Sequence, residues 1–123
     1  MTSKMLWTAL ISSGLTMMGL WAVGMVALPL TVRLENGRVK VSEVVYEPGV
    51  PRERYTRPTD QVIVFLDECE YERTDAVTGE KTTRKRKPGE VIWHDRSELA
   101  PQLVNKGAKA YRTLLIELKD GGK

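Results

Sequence analysis

The stretch YTRPTDQVIVFL, residues 55–66, decides the fold. Its second half, Val62 to Leu66, is an unbroken apolar run. That run is too short for a buried helix and has the length of a strand buried on both faces. Its first half is polar, with Pro58 at a corner that turns the chain into that strand. Upstream, LTVRL (30–34) and VKVSEVVY (39–46) flank Glu35-Asn36-Gly37-Arg38, where Asn-Gly supplies the positive φ of a tight hairpin, and Pro48-Gly49 closes the second strand. Downstream, EYERT (70–74) and KTTRKRK (81–87) flank a turn centred on Thr78-Gly79, and Lys87-Pro88-Gly89-Glu90 leads into VIWH (91–94). PQLVN (101–105) and AYRTLLIELK (110–119) follow, joined through Lys106-Gly107. In the last of these Ala110, Arg112, Leu114, Ile116 and Leu118 share one face, as a period of two requires. No helical period is sustained after Pro29. Eight or nine short strands in about 90 residues predict an all-β closed barrel or double sheet, because an open sheet leaves unpaired edges.

The 123 residues make room for one ordinary domain and exclude a multi-domain enzyme. Charge is distributed unevenly: all 16 acidic residues and all basic residues but Lys4 follow Thr31. From Met5 to Val32 no residue is charged, and LWTALISSGLTMMGLWAVGMVALPL (6–30) is long enough to cross a bilayer core, which needs about 20 residues. Residues 1–29 therefore read as a transmembrane anchor or a signal helix, 30–119 as the β domain and 120–123 as a tail. The length of the apolar run favours an uncleaved anchor over a cleaved signal, whose apolar region spans about 7–15 residues. Arg33, Arg38 and Lys40 after the span favour a cytoplasmic domain on charge alone. The expectation nevertheless is export, with the barrel membrane-anchored and extracytoplasmic, or secreted after cleavage. The near balance of charge after Thr31 gives no basis for nucleic acid as a partner. Cys69, the only cysteine, excludes an intrachain disulfide, and its acidic neighbours Asp67, Glu68 and Glu70 disfavour a thiolate nucleophile. The run Arg84-Lys85-Arg86-Lys87 reads as a solvated hairpin edge protected from pairing with other chains.

His94 is the only histidine, so any imidazole acid–base chemistry must use it. Trp93 and His94 point to opposite faces of a strand. If Trp93 fills the barrel, His94 lies outside it.

The order ENGRVKV (35–41), a Pro-Gly turn, a polar strand, a Val-rich strand, KPGEVIWH (87–94) and LVNKG (103–107) resembles the small single-domain cupins over Thr31 to Lys119. The resemblance implies a jelly-roll or double-stranded β-helix barrel. It also implies where that family's metal ligands fall. Counted from Gly49, the two histidines of the first motif fall on Tyr55 and Arg57 and the third ligand on Gln61; counted back from Asn105, the last histidine falls on Pro101. A tyrosine, a guanidinium and a proline do not replace neutral imidazoles around a divalent cation. No metal or other cofactor is therefore expected. Arg57 in an inward position is suited to fork hydrogen bonds onto a small anionic ligand, with Tyr55, Gln61 and His94 completing the pocket. The alternative for Arg57 is a structural ion pair with Asp60 or a glutamate of a facing strand. Two functions stay open: a metal-free binding module without enzymatic activity, and a metal-independent isomerase or lyase acting on a small anionic substrate. Association of two barrels into a homodimer is a further implication of the resemblance.

Overall fold

The computed structural model describes residues 28–119, and eleven strands lie among them. They are β1 (Leu30–Glu35), β2 (Val39–Tyr46), β3 (Pro51–Arg52), β4 (Tyr55–Thr56), β5 (Asp60–Phe65), β6 (Cys69–Thr74), β7 (Lys81–Arg86), β8 (Val91–His94), β9 (Leu99–Ala100), β10 (Gln102–Asn105) and β11 (Tyr111–Leu118). The apolar segment expected to meet a membrane lies almost wholly outside the described residues. Among the described residues no helix is long and apolar enough to cross one.

The strands form a five-stranded sheet in the order β1-β2-β11-β5-β8, a four-stranded sheet β3-β10-β6-β7 and the short pair β9-β4, with every strand pairing antiparallel. Turn glycines do what their positions require: Gly49, Gly79 and Gly89 adopt φ of 76°, 75° and 92°, a region closed to most side chains. The Asn36-Gly37 hairpin differs from expectation. Asn36 and Val39 are hydrogen-bonded across the turn, so its centre moves to Gly37-Arg38, and neither Asn36 nor Gly37 has a positive φ. Instead the Asn36 carboxamide oxygen accepts from the Arg38 and Val39 amides at 2.7 and 3.0 Å, replacing a backbone turn with a side-chain one.

The two sheets meet through aromatic rings. Tyr46 and Tyr111, directly opposite on β2 and β11, stack at 4.7 Å between centroids, and Phe65 on β5 lies 6.1 Å from Tyr71 on β6, which bridges to the other sheet. Such ring pairs each add about 0.5–1.5 kcal/mol beyond the area they bury. Val44 and Ile63 complete the buried cluster.

The face of β5 opposite this core is not fully covered, contrary to the expectation from its unbroken run. Gln61, Ile63 and Phe65 are buried, whereas Val62 and Val64 are half-buried. The same outer face of the five-stranded sheet carries Leu34, Val41, Ile116, Val62 and Trp93 in register across all five strands. Trp93 is 52% exposed there, so it does not fill the barrel, and His94, on the opposite face of β8, is the residue that turns inward.

Candidate functional site

Arg57 follows β4 and precedes Pro58, a position biased toward extended backbone. Its amide donates to the Glu98 carbonyl at 3.0 Å and its carbonyl accepts from the Ser97 amide at 2.8 Å. The 95–98 loop thus grips Arg57 from both sides, and it holds Ser97 at φ 70°, a left-handed conformation unusual for serine. So fixed, the Arg57 side chain is only 2% exposed. Its Nη1 donates to Gln61 Oε1 at 2.7 Å and to Tyr55 Oη at 3.4 Å, while Tyr55 Oη donates to Gln61 Oε1 at 3.4 Å. The structure therefore brings Tyr55, Arg57 and Gln61 into one cluster. The nearest carboxylate is that of Glu98, with Oε1 3.9 Å from Arg57 Nε, too far for a hydrogen bond. Asp60, the partner considered from sequence, instead accepts from the Arg96 amide at 2.8 Å.

Arg57 borders a cavity of about 180 Å³ between the sheets. Four more arginines line it, all from the inner face of the four-stranded sheet: Arg52 on β3, Arg73 on β6, Arg84 and Arg86 on β7. Arg86 is satisfied by Tyr71 Oη at 3.2 Å and by Glu90 at 3.3 Å, and Arg52 donates to the Pro101 carbonyl. Buried Arg52 Nε, Arg57 Nε and Tyr111 Oη meet no hydrogen-bond partner. The guanidiniums of Arg52 and Arg57 lie 5.4 and 5.6 Å from the Tyr55 ring centroid. Burial pushes Arg57 below the ordinary arginine range; Tyr55 opposes this, and the like charge of Arg52 adds to it. A negative charge in this cavity relieves that repulsion.

His94, paired in register with Gln61, lines the same cavity, and its Nδ1 lies 3.2 Å from Glu98 Oε1. Glu98 Oε1 also accepts from the Asp95 amide at 3.0 Å, which orients the carboxylate. Burial and then the Arg57 charge hold His94 below its ordinary range, so its ring is neutral at pH 7; Glu98 opposes and Arg52 reinforces the shift. The folded-state pKa lies below the unfolded one. The neutral ring therefore contributes stability that is complete above the unfolded value of about 6.5 and is lost as pH falls through the folded value. Between pH 7.5 and 5.5, denaturant unfolding is expected to lose stability along a slope of up to about 1.4 kcal/mol per pH unit from this group, and His94→Gln is expected to remove that part of the slope. An unchanged slope in the variant sinks this assignment.

These residues do not suit a divalent cation. The Arg57 guanidinium occupies the acceptor that Gln61 has to offer and also contacts Tyr55 Oη. Pro101 brings only a carbonyl, already bonded by Arg52. Among the described residues no three of His, Cys, Asp and Glu are grouped as a ligand set. Burial, more than its acidic neighbours, pushes the Cys69 thiol up to about 11, which disfavours the thiolate.

Sequence reading singled out Tyr55, Arg57, Gln61 and His94. Of these, Arg57 and His94 line the cavity; Gln61, 1% exposed, supports Arg57 from behind without lining it, and Tyr55 lines a neighbouring cleft. Reading missed Arg52, Arg73, Arg84, Arg86 and Glu98. The alternation Arg84, Arg86 was the available signal: β7 is a sheet edge, as expected for a charged hairpin, but its period of two points both arginines inward and Lys85 outward. Glu98 reaches His94 through an irregular loop that no periodicity describes.

No family model matches the sequence, and neither does any curated protein. Solved structures do resemble it. A cupin domain from Bordetella pertussis is 21% identical, covers 78% of this chain and 99% of its own, and superposes with a TM-score of 0.67. A cupin with a double-stranded β-helix fold from Methanocaldococcus jannaschii is 8% identical over 83% of this chain and 89% of its own, TM-score 0.59. A DMSP lyase from Ruegeria pomeroyi is 16% identical over 82% of this chain and 51% of its own, TM-score 0.59. At these identities the likeness concerns the fold, which is the all-β cupin double-stranded β-helix.

Proposed function

We propose that this barrel binds a small organic anion in its arginine-lined cavity and does so without a bound metal. One observation carries the reading: Arg52 and Arg57 bring two guanidiniums to one small cavity, each with a buried Nε lacking a partner and neither with a carboxylate at hydrogen-bond distance. Arg57 is buried with its carboxylate partner Glu98 no nearer than 3.9 Å, and half-buried Arg52 brings a second positive charge to the same cavity, an arrangement that an anion completes. The test is calorimetric titration of the full chain, freed of metals on a chelating resin, with succinate, benzoate and inorganic phosphate. At least one is expected to bind, more weakly as salt is raised. Absence of binding by all three, or binding that requires an added divalent cation, overturns the proposal.

A second reading, a metal-independent isomerase or lyase acting on a small anionic substrate, is favoured by the His94–Glu98 pair on the same cavity. With Nδ1–H donated to Glu98, a neutral His94 presents Nε2 as a base. His94→Asn abolishes turnover and spares anion binding if the barrel is an enzyme; a binding module has no turnover to lose.

The same proposal includes a membrane tether through the segment before residue 28, with the barrel outside the cytoplasm. It requires that the chain stay with membranes under carbonate extraction and that protease added to intact cells digest the barrel. It also includes a homodimer in which two copies pack through the outer face of the five-stranded sheet. Supporting this is the apolar row Leu34, Val41, Ile116, Val62 and Trp93, flanked by Arg33–Glu43 and Arg112–Asp67 pairs that offer both signs of charge to a two-fold partner. Val62→Lys is expected to convert a dimer to a monomer in light scattering. A wild-type chain already monomeric sinks it.

A further inference from the structure

We propose that the bound anion is amphiphilic, with an acid head held by Arg52 and Arg57 and an apolar body lying in a second, larger chamber of the barrel. This rests on the anion-binding reading above. The second chamber, a cleft open to solvent on one side, has a volume of about 610 Å³ and is walled by Leu28, Leu30, Val44, Pro58, Ile63 and Leu115. Tyr46, Arg52, Ile63 and Thr113 border both chambers, so the two adjoin. Arg52, with its unpartnered Nε, stands on that divide.

Size and polarity assign the parts. The arginine-lined chamber of about 180 Å³ has room for a head group or a single ring, since a cavity of about 150 Å³ admits benzene. The larger chamber falls within the range of about 300–1,000 Å³ typical of small-molecule pockets. A wholly polar anion leaves the apolar walls facing water, and a neutral apolar molecule leaves the Arg52 and Arg57 Nε atoms without an acceptor. An amphiphilic anion satisfies both chambers. Charges at the large chamber's rim bias neither sign, since Lys40 faces Glu117 across the strands and Glu53 adjoins Arg54.

The test uses the full chain in lipid nanodiscs with labelled Ile, Leu and Val methyls, titrated with acetate, butanoate, hexanoate, octanoate and neutral octanol against empty-nanodisc controls. Affinity is expected to rise about fourfold per methylene, giving on the order of two hundredfold from butanoate to octanoate. Leu30, Ile63 and Leu115 methyls are expected to shift with the longer acids. Leu30→Gln, at a half-exposed edge-strand position where the fold tolerates it, should lower the octanoate-to-acetate affinity ratio severalfold. Equal binding of acetate and octanoate, or octanoate binding that leaves those methyls unmoved, overturns the two-chamber proposal and leaves the anion reading standing. Octanol binding as tightly as octanoate overturns it as well. Failure of every acid to bind, at any length, removes the anion reading with it.

Discussion

Replacing Arg57 by methionine is expected to cost about ten- to a hundredfold in anion affinity while leaving the fold as stable as before, or more stable. The two halves of this result come from the same geometry. Removing a charged hydrogen-bond donor from a binding site loses about 1.5–3 kcal/mol. Ordinarily, removing one partner of a buried ion pair also destabilises, by about 3–5 kcal/mol, because the other charge is stranded. Here no charge is stranded, and the buried group left behind is Gln61, whose Nε2 has no partner even with Arg57 in place. Glu98 is 45% exposed and keeps the Asp95 amide and His94, and Gln61 Oε1 keeps Tyr55 Oη at 3.4 Å. What methionine removes is a desolvated guanidinium with an unpartnered Nε and a like charge beside it. Replacing a whole buried ion pair by apolar side chains is often neutral or stabilising, by about 1–4 kcal/mol, and with Glu98 left half-exposed the single replacement approaches that case. Paired measurements of unfolding and of anion titration therefore separate the two views of Arg57. A structural ion pair predicts lost stability with no binding change; a ligand-holding arginine predicts the reverse. Arg57→Lys keeps the charge without the fork and is expected to fall between, which preserves the test if the methionine variant misfolds.

The fold was largely legible because it is written in features that act locally. Gly49, Gly79 and Gly89 sit where positive φ is needed, and the strands read from sequence fall within two residues of their expected limits, whereas the two-residue strands β3 and β9, too short to show a period, were not anticipated. The facing of strands was legible only in part. Alternation states which residues share a face, not which face turns inward. The apolar pair Trp93 and Ile92 gave no way to decide that Ile92 and His94 are the inner pair, because the outer face of the five-stranded sheet is itself apolar. The clustering of Tyr55, Arg57 and Gln61 was legible, because a resemblance in motif order located all three on one short segment. Its other half comes from a different sheet. Arg52, Arg73, Arg84 and Arg86 converge only once β3, β6 and β7 are aligned by β10, and a chain-long sequence contains no local mark of that alignment.

Replacing Asn105 by alanine is expected to destabilise the barrel by about 3–4 kcal/mol, the largest loss of any single polar side chain considered. Asn105 is 2% exposed and uses its carboxamide fully: Nδ2 donates to the Tyr46 and Lys109 carbonyls at 2.8 Å each, and Oδ1 accepts from the Gly107 amide at 2.8 Å. Its own carbonyl accepts from the Gly49 amide at 3.0 Å. One side chain thus closes the β10–β11 turn and ties it to the end of β2. Each bond lost is worth about 1 kcal/mol net, and the Tyr46 carbonyl, left buried without a donor, adds its desolvation. Aspartate tests the donor role alone. At pH 7 its carboxylate faces two carbonyls and can donate to neither, so Asn105→Asp is expected to cost at least as much as alanine. Its folded-state pKa is then raised above the unfolded value near 3.9, so its protonated form contributes stability present below that value and lost as pH rises through the folded one. Denaturant unfolding of Asn105→Asp is accordingly expected to show a smaller deficit against wild type at pH 4 than at pH 7, and Asn105→Ala a constant one. Lys106→Ala, an exposed neighbour in the same turn, should cost less than about 0.5 kcal/mol. Pinning Tyr46 also bears on ligand capture, since that ring stacks on Tyr111 and borders both chambers. A deficit in Asn105→Ala no larger than that of Lys106→Ala contradicts this account of how the turn is held.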